Sequence, residues 1–316
     1  MSRAFIFPGQ GSQFPGMGKD LAESFTEARE VFQEIDDAIG QNLSRLMFEG
    51  AESDLNLTEN TQPALMAVSM AVVKILQKQG GIALDKTCSY VAGHSLGEYS
   101  ALATAQALEL ADTARLLRTR GRAMQEAVPV GMGAMAAILG MDFEDVRAIA
   151  AEVENGGVCA AANDNSPEQV VISGHKGAVE TAVALATARG AKRVVNLPVS
   201  APFHCSLMAP AAQRMATALA ETNIRPPMIP VVANVTARAV SEPSEIRALL
   251  VDQITGVVRW RESVLWMKEQ GVNEMVELGA GKVLSGLVRR IDKTIETAAA
   301  GTPAQIEELI AKLLAK

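Results

Sequence analysis

Short apolar runs alternate with longer helical stripes along this chain. Residues 4–7 form an apolar run that stops at Pro8-Gly9-Gln10-Gly11, the pattern of a strand feeding a glycine loop. Gln62-Pro63 predicts the opening of a helix, with proline in its first turn, that runs to about residue 79. Tyr90-Val91-Ala92 is short, apolar and partly β-branched, and 96–107 is rich in Ala and Leu, so a strand and then a helix are expected. Another helix is predicted over 110–127. From Gly133 the pattern becomes strand 134–139, helix 143–154, strand 157–162, strand 169–173, helix 177–188 and strand 193–197, with Asn163, Asn165, Ser166 and Pro167 in the hairpin turn. That β-α-β-β-α-β order predicts a small inserted subdomain of ferredoxin-like type. Beyond it come helix 208–222, strand 230–233, helix 245–254 and strand 272–278. Thr302-Pro303-Ala304-Gln305 reads as a capping box, and Ile306, Leu309, Ile310, Leu313 and Leu314 make an amphipathic closing helix.

The 316 residues suit one large domain or two unequal ones. Hydrophobic residues make up 48% and aromatics only 4%, so the core rests mostly on Ala, Val, Leu and Met. A net charge of −7 offers no basic field for nucleic acid. The longest apolar stretch, 64–76, is interrupted by Ser69 and Lys74 and is too short to span a bilayer; the N-terminal run is too short for a signal peptide. Cys88, Cys159 and Cys205 are scattered and lack C-x-x-C spacing, which predicts a reducing cytoplasm and no structural metal.

The chemistry centres on Gly93-His94-Ser95-Leu96-Gly97. It fits the G-x-S-x-G nucleophile elbow, a motif that needs a strand before it and a helix after it. Small residues on either side let the chain fold back and hold the hydroxyl clear at a helix N-terminus. A serine attacks an acyl group at neutral pH only with a base in hydrogen-bond reach. Of the three histidines, His94 lies inside the elbow, His175 sits in a Gly-flanked loop, and His204 follows an irregular segment framed by Pro198 and Pro202. His204 is therefore the candidate base. No acidic residue stands out as a third member, since Asp252 is flanked by helical polar residues. The expectation is a Ser-His dyad whose imidazole is oriented by a carbonyl or an amide.

Two glycine-rich segments fail as phosphate loops. Gly9-Gln10-Gly11 lacks the later glycine and any Gly-Lys-Ser/Thr, and Gly279-Ala280-Gly281-Lys282 lacks the first glycine and the final hydroxyl. On the helix 110–127, Arg115, Arg118 and Arg122 fall within about 60° of one another, as a solvated face would. Arg120 points about 200° from Arg118, onto the stripe of Leu116, Leu117, Ala123 and Met124. A guanidinium there needs an anion, from a salt bridge or from a ligand.

Taken together, several segments spread from end to end resemble the malonyl-CoA:acyl carrier protein transacylases of bacterial fatty acid synthesis. They are Phe7-Pro8-Gly9-Gln10-Gly11-Ser12-Gln13, Thr61-Gln62-Pro63-Ala64, Gly93-His94-Ser95-Leu96-Gly97-Glu98, and Arg120-Gly121 with Met124-Gln125. Later ones are Asn163-x-Asn165-Ser166-Pro167, Val199-Ser200-Ala201-Pro202-Phe203-His204, Gln253, and Gly279-x-Gly281-Lys282-Val283-Leu284. The resemblance implies an α/β-hydrolase-like large domain with a parallel sheet, over 1–128 and 199–316, and a ferredoxin-like subdomain over 129–198. It implies a ping-pong reaction without cofactor or metal, in which Ser95 takes malonyl from malonyl-CoA and passes it to the phosphopantetheine thiol of holo-acyl carrier protein. His204 is implied as base and then acid, and the N–H groups of Gln10 and Leu96 as the oxyanion hole. Arg120 is implied as the clamp on the malonyl carboxylate, with Gln62, Asn163 and Phe203 as further substrate-binding residues. The Gln253 carbonyl would orient the histidine.

A serine hydrolase or thioesterase would use the same dyad with water as acceptor, and would not need Arg120. A non-catalytic acyl- or carrier-binding module would need neither Ser95 nor His204 to be reactive. A monomer is expected, with no nucleic-acid or membrane partner. Carrier proteins are typically acidic, so docking would be local; Arg189, Lys192 and Arg193, with no acidic residue between them, are the candidate surface.

Overall fold

The computed structural model describes residues 2–199 and 201–315; Ser200, part of one matching segment, lies outside them. Among the described residues ten strands fall into two sheets: β1 (Ser2–Phe7), β2 (Tyr90–Gly93), β3 (Gly133–Leu139), β4 (Cys159–Ser166), β5 (Gln169–His175), β6 (Arg193–Asn196), β7 (Val231–Ala233), β8 (Arg238–Val240), β9 (Val272–Leu278) and β10 (Glu296–Ala300). The larger sheet runs β10-β9-β1-β2-β7-β8. Its strands pair in parallel except β8, which lies antiparallel on β7. The smaller runs β4-β5-β3-β6 and is antiparallel throughout.

A parallel sheet must be covered on both faces, and β1 shows how. Phe5 and Phe7 point into one apolar cluster, with the helices Thr26–Ile39, Thr58–Lys78 and Leu110–Glu126. Ala4 and Ile6 point into the other, with Trp260, Met267, Leu284 and Val288 from the helices Trp260–Glu269 and Val283–Ile291. The period of two along one strand thus sorts four residues between two cores.

Three expectations need correction. The helix expected to open at Gln62 begins at Thr58, which puts Pro63 inside it. Proline cannot donate to the carbonyl four residues back, and that carbonyl, on Glu59, accepts instead from Arg118 Nη1 at 3.1 Å. Arg118 is accordingly not a solvated residue: its side chain is 20% exposed and also meets Glu59 as an ion pair, while Arg115 and Arg122 are exposed as expected. Lastly, Asn163, Asn165 and Ser166 are not in the hairpin turn. They are buried within β4, and the turn is Pro167-Glu168.

These polar residues sit in a strand because its irregular edge docks on the segment 258–261. Register shifts interrupt the β4–β5 ladder at this point. Asn163 bridges to Val258, Asp164 N–H donates to the Val258 carbonyl at 2.9 Å, and the Asp164 carboxylate pairs with Arg261 at 2.8 Å. Asn165 Oδ1 lies 2.8 Å from His94 Nε2. The smaller sheet is therefore tied directly to the elbow. The chain order through it is strand, helix Phe143–Glu152, two strands, helix Lys176–Ala188, strand.

Candidate active site

In open α/β sheets the carboxyl ends of parallel strands are where ligands bind, and here β1, β2 and β7 end together. After β2 the chain turns sharply into the helix Gly97–Thr104. A Cβ on Gly93 would lie 2.0 Å from the Gly97 carbonyl group, and one on Gly97 would lie 2.3 Å from the Phe7 carbonyl oxygen. Only glycine fits at either place. Between them Ser95 is held at φ 52°, a strained backbone that costs roughly 1–3 kcal/mol and points its hydroxyl into a cavity.

Ser95 Oγ and His204 Nε2 are 2.8 Å apart. His204 Nδ1 lies 2.8 Å from the backbone carbonyl of Gln253, which accepts only, so Nδ1 carries the proton and Nε2 is free to accept from serine. His204 itself sits at φ 57°. Burial first, and then the nearby Arg120 charge, push its pKa down to about 3, so the imidazole is neutral.

Arg120 is 1% exposed. Its Nη1 donates to Gln62 Oε1 at 2.8 Å; its Nη2 donates to Gln253 Oε1 at 2.7 Å and to Ser95 Oγ at 3.1 Å. Its guanidinium carbon lies 5.6 Å from the centre of the Tyr99 ring. Among the described residues no carboxylate forms an ion pair with it. A buried cation held by neutral amides beside a nucleophile is a receptor for an anion.

Behind these groups lies a network. Asn234, at the end of β7, takes the Ser95 N–H on Oδ1 at 2.7 Å and donates Nδ2 to the Gly93 carbonyl at 2.7 Å. Glu98 Oε2 accepts from Asn234 N–H at 3.0 Å and from Gln253 Nε2 at 2.7 Å. Burial raises the Glu98 pKa to about 7, against these two donors and Arg120. The elbow is clamped from both sides.

The cavity holds about 220 Å³. Ser95, His204, Gln10, Leu96, Arg120, Gln62, Asn163 and Phe203 all line it. Gln253 stands just behind. Among the described residues the backbone N–H groups of Gln10 and Leu96 form no hydrogen bond and border the serine, an arrangement that can receive an oxyanion. Arg189, Lys192 and Arg193 are not at this cavity. Arg193 pairs with Leu139 at the end of β3 away from Met135, which does line it. Arg189 and Lys192 each meet an exposed carboxylate, Glu152 and Glu168.

Asn234 and the bridging role of Glu98 escape a reading of the sequence. Asn234 belongs to no motif; its one signal is a polar residue at the carboxyl end of a strand. His94 and His175, set aside as bases, are used structurally, toward Asn165 and toward the Val158 N–H.

Residues 4–314 match the acyl transferase domain family. The chain is 47% identical over 300 residues to the malonyl CoA-acyl carrier protein transacylase of Escherichia coli (strain K12), covering 95% of this chain and 96% of that one. Its fold superposes on the acyl-carrier-protein-S-malonyltransferase from Bartonella henselae with a TM-score of 0.97, at 54% identity and 99% coverage of both chains. It also superposes on a malonyl-transacylase solved in complex with its type II PKS acyl-carrier protein, with a TM-score of 0.95 at 44% identity, covering 99% of this chain and 100% of that one.

Proposed function

The chain belongs to the acyl transferase domain family and, within it, to the malonyl-CoA:acyl carrier protein transacylases; on that premise we propose which residues carry the reaction. The protein transfers malonyl from coenzyme A to acyl carrier protein in fatty acid synthesis. The observation that carries the residue assignment is the contact of Arg120 Nη2 with Ser95 Oγ at 3.1 Å. An acyl group on that oxygen starts beside the guanidinium, and the far carboxylate of a three-carbon diacid is two C–C bonds away.

In the first half-reaction Ser95 Oγ attacks the thioester carbonyl while its proton passes to His204 Nε2. The developing oxyanion sits on the N–H groups of Gln10 and Leu96, each donor being worth about 2.7–4 kcal/mol. Collapse breaks the C–S bond, and His204 returns its proton to the departing coenzyme A sulfur. The malonyl carboxylate takes both arms of Arg120, flanked by Gln62, while Phe203 and Asn163 bound the acyl chain. In the second half the carrier thiol gives its proton to His204, attacks the Ser95 ester, and the proton returns to Oγ. The route needs neither metal nor cofactor.

We divide the chain into an α/β-hydrolase-like unit, 1–128 with 199–316, and a ferredoxin-like unit, 129–198. The strand order β4-β5-β3-β6 and the β-α-β-β-α-β sequence support the second assignment, and the parallel strands around the elbow support the first. The carrier docks, on this reading, with help from Arg189, Lys192 and Arg193. The partners of Arg189 and Lys192 are exposed, and surface ion pairs are worth only about 0–1 kcal/mol, so an acidic carrier helix can take these two cations over. The protein acts as a monomer in the cytoplasm, where its three buried thiols stay reduced.

The test is to mix the protein with malonyl-CoA and holo-carrier protein. Malonyl mass should appear on the carrier as free thiol is released; release of free malonate at the same rate would instead favour a thioesterase.

A further inference from the structure

We infer that Glu98, which does not line the cavity, fixes the side-chain orientation of Gln253 and through it the aim of Arg120, making it a positioning residue for malonyl selection. The inference rests on the reading of Arg120 as the carboxylate clamp.

An amide is asymmetric, and its two ends here face opposite demands. Gln253 Oε1 receives Arg120 Nη2 at 2.7 Å. Gln253 Nε2 donates to Glu98 Oε2 at 2.7 Å and to the Ser95 carbonyl at 3.1 Å. Flipped, the amide would set NH₂ against guanidinium and oxygen against two acceptors. Arg120 would then have to turn its head away from the serine. Two donors, Asn234 N–H and Gln253 Nε2, converge on Glu98 Oε2, so that atom accepts whether or not the carboxyl carries a proton.

Glu98 is itself held firmly. It is 3% exposed, lies in the first turn of the helix Gly97–Thr104, and is braced by Asn234, which also grips the elbow at Ser95 N–H and the Gly93 carbonyl. One buried carboxyl thus joins the nucleophile's turn, the residue that orients the base and the cation that reads the substrate. It also places a carboxyl one amide away from a guanidinium that, among the described residues, has no ion pair of its own.

The readout is the ratio of Ser95 loading rates from malonyl-CoA and acetyl-CoA, a quantity that a general loss of folding would leave unchanged. Glu98→Met removes the acceptor at similar length; both rates should fall, malonyl further, lowering the ratio at least about tenfold. Glu98→Gln can set its carbonyl where Oε2 stands and should hold the ratio within about threefold of wild type. Gln253→Met, which keeps the carbonyl facing His204, should lower the ratio as Glu98→Met does, and it decides the matter if Glu98→Met does not fold. A wild-type ratio in Glu98→Met or in Gln253→Met overturns the inference, as does a Glu98→Gln ratio as low as that of Glu98→Met. Arg120→Ala is the separate check: an unchanged ratio there defeats the clamp reading itself, whereas a reduced ratio there with an intact one in Glu98→Met defeats only the relay.

Discussion

The imidazole of His204 donates Nδ1–H to the backbone carbonyl of Gln253 at 2.8 Å, where a Ser-His-Asp triad would hold a carboxylate. The carbonyl fixes the tautomer without adding a negative charge. Its hydrogen bond raises the pKa by less than burial and the Arg120 cation lower it, and the pKa falls to about 3. The base is neutral but weak, and the same Arg120 that weakens it donates to Ser95 Oγ and favours loss of the serine proton.

Backbone and side chain of Gln253 should separate by mutation. Gln253→Ala keeps the carbonyl and so keeps the base oriented, whereas His204→Ala should slow Ser95 loading by about 10²–10⁴-fold. Rapid-quench loading with acetyl-CoA is the measurement. A loss in Gln253→Ala as deep as that in His204→Ala would show that the carbonyl is not what orients the ring.

Phe203 lines the cavity beside the base and is buried. An α-methyl on the acyl chain would meet its ring, so Phe203→Ser should raise the methylmalonyl-to-malonyl ratio. A single methyl in such a pocket is worth about 1–3 kcal/mol of discrimination. Competition between the two thioesters reads the change, and a ratio equal to wild type would refute the contact.

Two buried groups should set opposite slopes of stability against pH. His204 is depressed from 6.5 to about 3, so the unfolded chain binds the extra proton between those values. Its contribution is present above pH 6.5 and is lost as pH falls. Glu98 is raised from 4.5 to about 7, so the folded chain holds the proton; its contribution is full below pH 4.5 and is lost as pH rises to about 7. Between 4.5 and 6.5 the two oppose each other. Urea titrations should show Glu98→Gln losing stability more steeply than wild type as pH falls through that window, and His204→Gln less steeply. The reverse order would mean the assigned shifts have the wrong sign.

Docking is testable apart from chemistry. Reversing Lys192 and Arg193 to Glu should raise the KM for carrier protein at low salt and flatten its salt dependence, while loading from malonyl-CoA proceeds as before. Wild-type transfer to carrier at low salt would move the docking surface elsewhere.

Much of this site was legible in the chain because its chemistry is local. The elbow is five consecutive residues whose glycines are required by contacts under 2.5 Å, and the inward arginine follows from helical periodicity alone. What stayed hidden is what tertiary contact decides. Asn163 and Asn165 look like turn residues by composition, but β4 uses their polarity to dock on Val258 and His94. Pro63 looks like a helix start, but the helix begins earlier, and Arg118 from another helix donates to the carbonyl that the proline cannot serve. The helices Thr26–Ile39 and Trp260–Glu269 were not anticipated, and Glu98 reads as an ordinary first-turn acid until Gln253 and Asn234 are seen to converge on it.

Malonyl should pass from coenzyme A to the carrier through an ester on Ser95. Intact-mass measurement after brief exposure to malonyl-CoA, followed by peptide mapping, reads that ester. A single malonyl adduct on the peptide carrying Ser95, absent in Ser95→Ala and discharged by holo-carrier protein, is the predicted result. A stable adduct on another residue, or transfer to carrier undiminished in Ser95→Ala, would contradict it.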